Sequence, residues 1–158
     1  MKEDLSNMFP LSKTKVCKGN RRLVREKIMQ IIFAHKMSDA DTGQLFDHIF
    51  NREFNFGDEE EEITKDKILR PDEVYELDAD VPISWTEAEI KFAHNLLLKT
   101  LATSEVTDSR MMSVASNWDL ERITILDRIL IQIAGAEFTE FPDIPPKVTI
   151  NEAIDIGK

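Results

Sequence analysis

The chain holds a single cysteine, Cys17, so no internal disulfide is available to it. No run of about 18 apolar residues occurs, and no charged stretch followed by an apolar one opens the sequence, which leaves neither a spanning helix nor a secretory leader. The expected setting is the cytoplasm, with no membrane partner. Five glycines in 158 residues supply few of the left-handed turns that many-stranded sheets depend on, so all-β architectures are disfavoured. A glycine-rich phosphate cradle and a Gly-x-Ser-x-Gly elbow are both missing. The three histidines, His35, His48 and His94, are too scattered to suggest a ligand pair, and neither His-Glu-x-x-His nor Cys-x-x-Cys is present. Cys17 has no local partner that would mark it as a nucleophile. The reading is a non-enzyme without catalytic residues, metal or cofactor.

What is present is ordinary globular material, 42% hydrophobic and 32% charged. A chain of this length buries roughly 68 to 70% of its unfolded surface, enough for one core, with or without an appendage, and not for two. The formal charge of -10 argues against indiscriminate attraction to polyphosphate. That mean conceals a segregated layout. From Leu11 to Lys27 seven Lys or Arg face one acid, a local +6, whereas from Glu53 to Asp80 twelve acids face three basic residues, a local -9.

Residues 1–19 show no sustained apolar period and read as a flexible leader. Asn20 offers an N-cap, and Val24, Ile28, Ile31, Ile32 and His35 fall on one arc of a helix over about 21–37. Leu45, Phe46, Ile49 and Phe50 suggest a second helix over about 41–54. Residues 57–84 form an acidic insertion containing Gly57, the run Asp58 to Glu62, Pro71 and Pro82, with at most a short helix near Glu62 to Leu69. It reads as a solvated loop; the alternative is an intramolecular cover for the basic segment. Thr86-Glu87-Ala88-Glu89 is a capping box opening a helix to about 102, followed by a shorter one over about 107–115. After Trp118, a segment over about 120–141 is apolar around so much of its circumference that it belongs at a bundle's centre. Pro145 and Pro146 begin a last amphipathic helix carrying Ile150, Ala153 and Ile154. These elements make an all-α bundle of six to seven helices with no convincing strand.

Three features carry the functional question. His35 lies on an apolar arc and reads as a hydrogen-bonded core residue. Glu137 projects toward the arc of Leu126, Leu130 and Ile133, where an unpaired carboxylate is costly. A basic side chain or backbone amides within the bundle should satisfy it; the alternative is a perturbed, functional acid. Arg21, Arg22 and Arg25 lie at about 0, 100 and 40 degrees around the first helix. Three guanidiniums and the free amides of a helix start favour an anion together, so these are the candidate RNA-binding residues. The bland alternative is a solvated helix terminus paired with Glu26. A single-stranded RNA also needs a stacking surface, for which Phe33 and Met29 are candidates, although their place two to three turns along favours the core.

Arg21-Arg22-Leu23-Val24-Arg25-Glu26, followed by Gln30-Ile31-Ile32-Phe33, resembles the arginine-rich first helix of the NusB family of transcription antitermination factors. The stretch Leu126-Asp127-Arg128-Ile129-Leu130, then Ala134 and Glu137-Phe138, then Asp143-Ile144-Pro145 and Lys147 to Ile154, resembles two penultimate helices of that family without a gap. With Phe92 to Leu101 the resemblance covers about half the chain. It implies a NusB-like helical domain over 20–158 that pairs with the small-subunit ribosomal protein NusE. The pair would bind the single-stranded boxA element of ribosomal RNA leaders and join a transcription elongation complex that resists premature termination. Arg21, Arg22 and Arg25 match the family's RNA-contacting positions.

Three departures accompany the likeness. Leu23 stands where the family often has a further arginine, residues 40–84 have no good match, and the chain stops at Lys158, before the helix that usually carries a Phe-Val-Asn-Gly-type motif. A missing C-terminal helix would leave part of the bundle uncovered. Two other readings compete: the RNA-binding domain of an RNA cytosine methyltransferase, and a protein-binding helical scaffold with no RNA role. A basic corner neutralised by internal carboxylates, or Arg21, Arg22 and Arg25 pointing apart, would overturn on physical grounds the grip of three guanidiniums on which the RNA-adaptor reading depends.

Overall fold

The computed structural model describes residues 17–51, 83–117 and 119–158. The leader as far as residue 16, the end of the expected second helix beyond residue 51, the acidic insertion as far as residue 82 with the short helix expected in it, and Trp118 lie outside the described residues. Helix α1 spans Arg21–Ser38, and its start is set by Asn20, whose side-chain oxygen accepts the Leu23 amide at 2.9 Å. Its apolar residues recur at i, i+4, i+7 and i+8, so that Val24, Ile28, Ile31 and Ile32 are buried together. α2 spans Thr42–Phe46 behind an Asp41 cap and runs into a wider π-type turn over Asp47–Asn51. That turn brings Phe50 onto Phe46, with ring centroids 4.6 Å apart, and against Trp85 at 4.9 Å.

The expected pair of helices over 86–102 and 107–115 is one continuous helix, α3, Glu87–Val114. Its capping box is formed in both directions, Glu89 amide to Thr86 Oγ1 at 3.2 Å and Thr86 amide to Glu89 Oε2 at 2.9 Å. The hydroxyl side chains along this stretch do not compete with the helix. Thr103 Oγ1 donates to the Lys99 carbonyl at 2.8 Å and Ser109 Oγ to the Glu105 carbonyl at 2.9 Å, bonds that a helix interior accommodates.

α4 spans Ile125–Glu140, five residues shorter at its start than expected. Thr124 caps it by accepting the Asp127 amide, and Leu120–Arg122 form a separate 3₁₀ turn. The helix occupies the centre of the bundle, packed on α1, α3 and the last helix, α5, Pro146–Ile156. Its inner face is Ile129, Leu130, Gln132, Ile133, Ala136 and Glu137, while Leu126, expected inside, is 42% exposed. Gly135 lets α3 and α4 approach closely, since a Cβ there would stand 2.5 Å from Thr107 Oγ1. α5 starts as its prolines require, with Pro146 in the first turn.

The architecture is all-α, with five α-helices among the described residues: two expected helices have merged, and the short one near Glu62 to Leu69 falls outside the described residues. A short strand pairing, which the sequence did not announce, is also present. Cys17–Lys18, at the end of the expected leader, is a strand, β1, that pairs in parallel with β2, Ile83–Ser84. The Gly19 amide extends the ladder to the Ser84 carbonyl at 2.8 Å. Trp85 closes over Gly19, where a Cβ would lie 2.4 Å from the indole. The chain leaving the acidic insertion is thereby tied to the start of α1.

Candidate nucleic-acid interface

The N-terminal turn of α1 and the N-terminal turn of α5 border an open cavity of about 400 Å³. Asn20, Arg21, Arg22 and Arg25 line it from one side, and Asp143, Ile144, Pro145, Val148 and Glu152 from the other. The side chain of Asn20 and its carbonyl engage the Leu23 and Val24 amides, so the earlier amides of the turn are left facing this end. The positive ends of two helices thus meet beside the arginines, a setting that favours an anion.

The three arginines, expected to act together, are divided by the structure. Arg21 is exposed, its Cζ stands over an aromatic ring, 4.5 Å from the Phe92 centroid, and it makes no ion pair among the described residues. Arg22 is half exposed, at 49% for its side chain, and is clamped by α5. Its Nε and Nη2 donate to the two Glu152 oxygens at 3.0 and 2.9 Å, and Nη2 also reaches Asp155 at 3.1 Å. These bonds raise the Arg22 pKa above its ordinary value, the hydrogen bond to Glu152 being the largest cause. The same bond lowers the Glu152 pKa below its ordinary value against the opposing effect of burial.

Arg25 departs from the expected surface site. It is only 4% exposed, because positions 25, 28 and 32 share a face and Ile28 and Ile32 are both core residues. Arg25 Nε donates to Glu137 Oε1 at 2.5 Å, and Thr149 Oγ1 donates to Glu137 Oε2 at 2.6 Å. A weaker approach to Glu152, Arg25 Nη1 to Oε2 at 3.8 Å, links this pair to the Arg22 clamp. Glu137 is therefore the satisfied carboxylate that the sequence favoured, paired with a basic side chain inside the bundle. His35 is likewise a bonded core-edge residue, its Nδ1 2.8 Å from the Ala40 carbonyl.

The corner is largely neutralised by internal carboxylates, the condition that weighs against a three-arginine grip. Among the described residues one guanidinium is uncompensated, one is held by surface acids, and one is structural. Phe33 and Met29, the candidate stacking surface, pack against the core instead. The residue that sequence reasoning missed is Phe92, which is 7% exposed, is contacted edge-on by Phe141 at 5.6 Å, and lies under both Arg21 and Arg25. Its place in α3, remote in sequence from the arginines, gave no local signal. No group of three or more potential metal ligands, and no helix long and apolar enough to cross a membrane, occurs among the described residues.

The sequence profile of the NusB family matches residues 77–158, just over half the chain. A protein of Salinibacter ruber named transcription antitermination protein NusB is 29% identical over 140 residues, covering 89% of this chain and 69% of that protein. A Chloroherpeton thalassium protein of the same name is 28% identical over 139 residues, 88% of this chain and 52% of that protein, and one from Desulfitobacterium hafniense is 42% identical over 72 residues, about half of each chain. No solved structure matches.

Proposed function

The chain belongs to the NusB family, and on that footing we propose that it is a non-enzymatic transcription antitermination factor that binds RNA. Its RNA is a boxA-type single strand from ribosomal RNA operons, bound together with the ribosomal protein NusE as part of a transcription elongation complex. The observation that carries the RNA reading is Arg21: an exposed guanidinium, without an ion pair among the described residues, at a capped helix start on the rim of a cavity flanked by a second helix N-terminus. Phosphate binds there to free amides and a planar donor at once.

Arg22 joins by exchange. A phosphate that replaces Glu152 and Asp155 finds the same bidentate donor set, but it must displace a two-point ion pair whose Glu152 side chain is only 18% exposed. Arg25 contributes from below, holding α1, α4 and α5 in register through Glu137 rather than meeting solvent. With the corner nearly neutral and the whole chain negative, affinity for RNA in isolation is modest. The ribosomal partner raises it by extending the surface.

Fluorescence anisotropy of a boxA-like RNA oligomer against a scrambled one, with and without the ribosomal protein, tests this reading. Tighter binding of the boxA-like strand, enhanced by the partner, is expected. Equal and feeble binding of both strands in both conditions would identify a protein-binding scaffold instead.

A further inference from the structure

We infer that Arg21, held over the Phe92 ring, is a stacking shelf for an unpaired base, so that this corner selects single-stranded over double-stranded RNA; this rests on the RNA-binding reading above. A guanidinium reaching for phosphate as a point charge has no need of a fixed plane, yet Arg21 Cζ sits 4.5 Å from the Phe92 centroid. Phe92 is itself fixed: it is 7% exposed, lies within the core cluster, and is braced edge-on by Phe141 at 5.6 Å with the rings 77° apart. The shelf is therefore built on a rigid ring. Arg21 is exposed, so the guanidinium face turned away from Phe92 is open to solvent.

Nucleobases splayed from a single strand stack on arginine planes as they do on aromatic rings, and every base offers such a face. A base in a duplex is already stacked on both sides and has none to offer. The charge arrangement points the same way. Arg22 is engaged by Glu152 and Asp155, and Arg25 by Glu137, so little free charge remains here to hold a duplex by its phosphates alone. Phe92 does not touch the RNA. It is a positioning residue that orients Arg21.

The deciding experiment separates plane from charge. Arg21→Lys keeps the cation and loses the plane; Arg21→Ala loses both. The full chain is titrated against a boxA-like single strand, the same strand annealed to its complement, and the same strand carrying abasic sites. Arg21→Lys is expected to lose single-strand affinity by roughly 5- to 100-fold, the range of one base stacked on an aromatic plane, with its salt dependence unchanged. The wild-type preference for the single strand over the duplex should shrink with it, and the abasic strand should bind wild type and Arg21→Lys alike. Phe92→Leu, checked for folding by its melting temperature, should reproduce that weakened preference without altering the salt dependence. If Arg21→Lys binds the single strand as wild type does while Arg21→Ala does not, Arg21 is a point charge and the shelf is wrong. If wild type binds none of the RNAs, the RNA reading has failed and the shelf with it.

Discussion

At the scale of single residues, the decisive interaction is the buried pair of Arg25 and Glu137, completed by Thr149. Each charge is tolerable in the core only because the other is there. Glu137→Gln leaves the guanidinium without its partner and is expected to destabilise the fold by about 3 to 5 kcal/mol, read from the urea midpoint. The double replacement Arg25→Met with Glu137→Leu should recover much of that stability. Two other carboxylates make stability depend on pH. Glu152 has its pKa lowered from 4.5, chiefly by the Arg22 hydrogen bond. For Asp108 burial pushes the pKa up, but hydrogen bonds from Arg128 and Gln132 outweigh it and hold the carboxyl below its ordinary value. A group depressed on folding stabilises above its unfolded pKa and ceases to do so as pH falls through its folded one. The melting temperature should hold from neutral pH to about 5 and fall below about 4, and Asp108→Asn should flatten part of that fall.

At the scale of elements, the α3–α4 pair is the most extensive helix packing among the described residues, and Gly135 permits it. Gly135→Ala would ordinarily favour a helix interior by roughly 1 kcal/mol. Here the new methyl meets Thr107 Oγ1 at 2.5 Å and Cγ2 at 2.6 Å. The expected result is a net destabilisation of about 1 to 3 kcal/mol in chemical denaturation, relieved in part by Thr107→Ala. Three starts were legible in the sequence from a cap or a proline, Asn20, the Thr86 box and Pro145-Pro146, whereas the Thr124 cap of α4 was not, and that helix starts about five residues later than expected. The join across residues 103–106 was not legible, because threonine and serine favour caps and turns as readily as they back-bond within a helix. The two-residue pairing of Cys17–Lys18 with Ile83–Ser84 has no pattern long enough to read. Arg25 is the instructive case. Its spacing from Ile28 and Ile32 placed it on the buried face, and Glu137 was already marked as needing a base, but these two facts belong to different helices and only the fold joins them.

At the scale of the whole molecule, a chain of net charge -10 binds RNA only if a local site overrides its own field. The basic segment around α1 is the sequence feature that pointed to such a site, and the family likeness agrees with the NusB profile match. The carboxylates of α4 and α5 that temper it became visible only when folding brought Glu137, Glu152 and Asp155 to the arginines. The most direct measurement is the slope of log affinity against log salt for a boxA-like single strand, in wild type and in the double variant Arg21→Ala with Arg22→Ala, whose side chains lie outside the core. Each single-strand phosphate that the protein ceases to neutralise makes the slope shallower by about 0.7, so the double variant should bind more weakly, with a slope shallower by about 0.7 to 1.4. An unchanged affinity and slope would show that RNA does not bind at this corner.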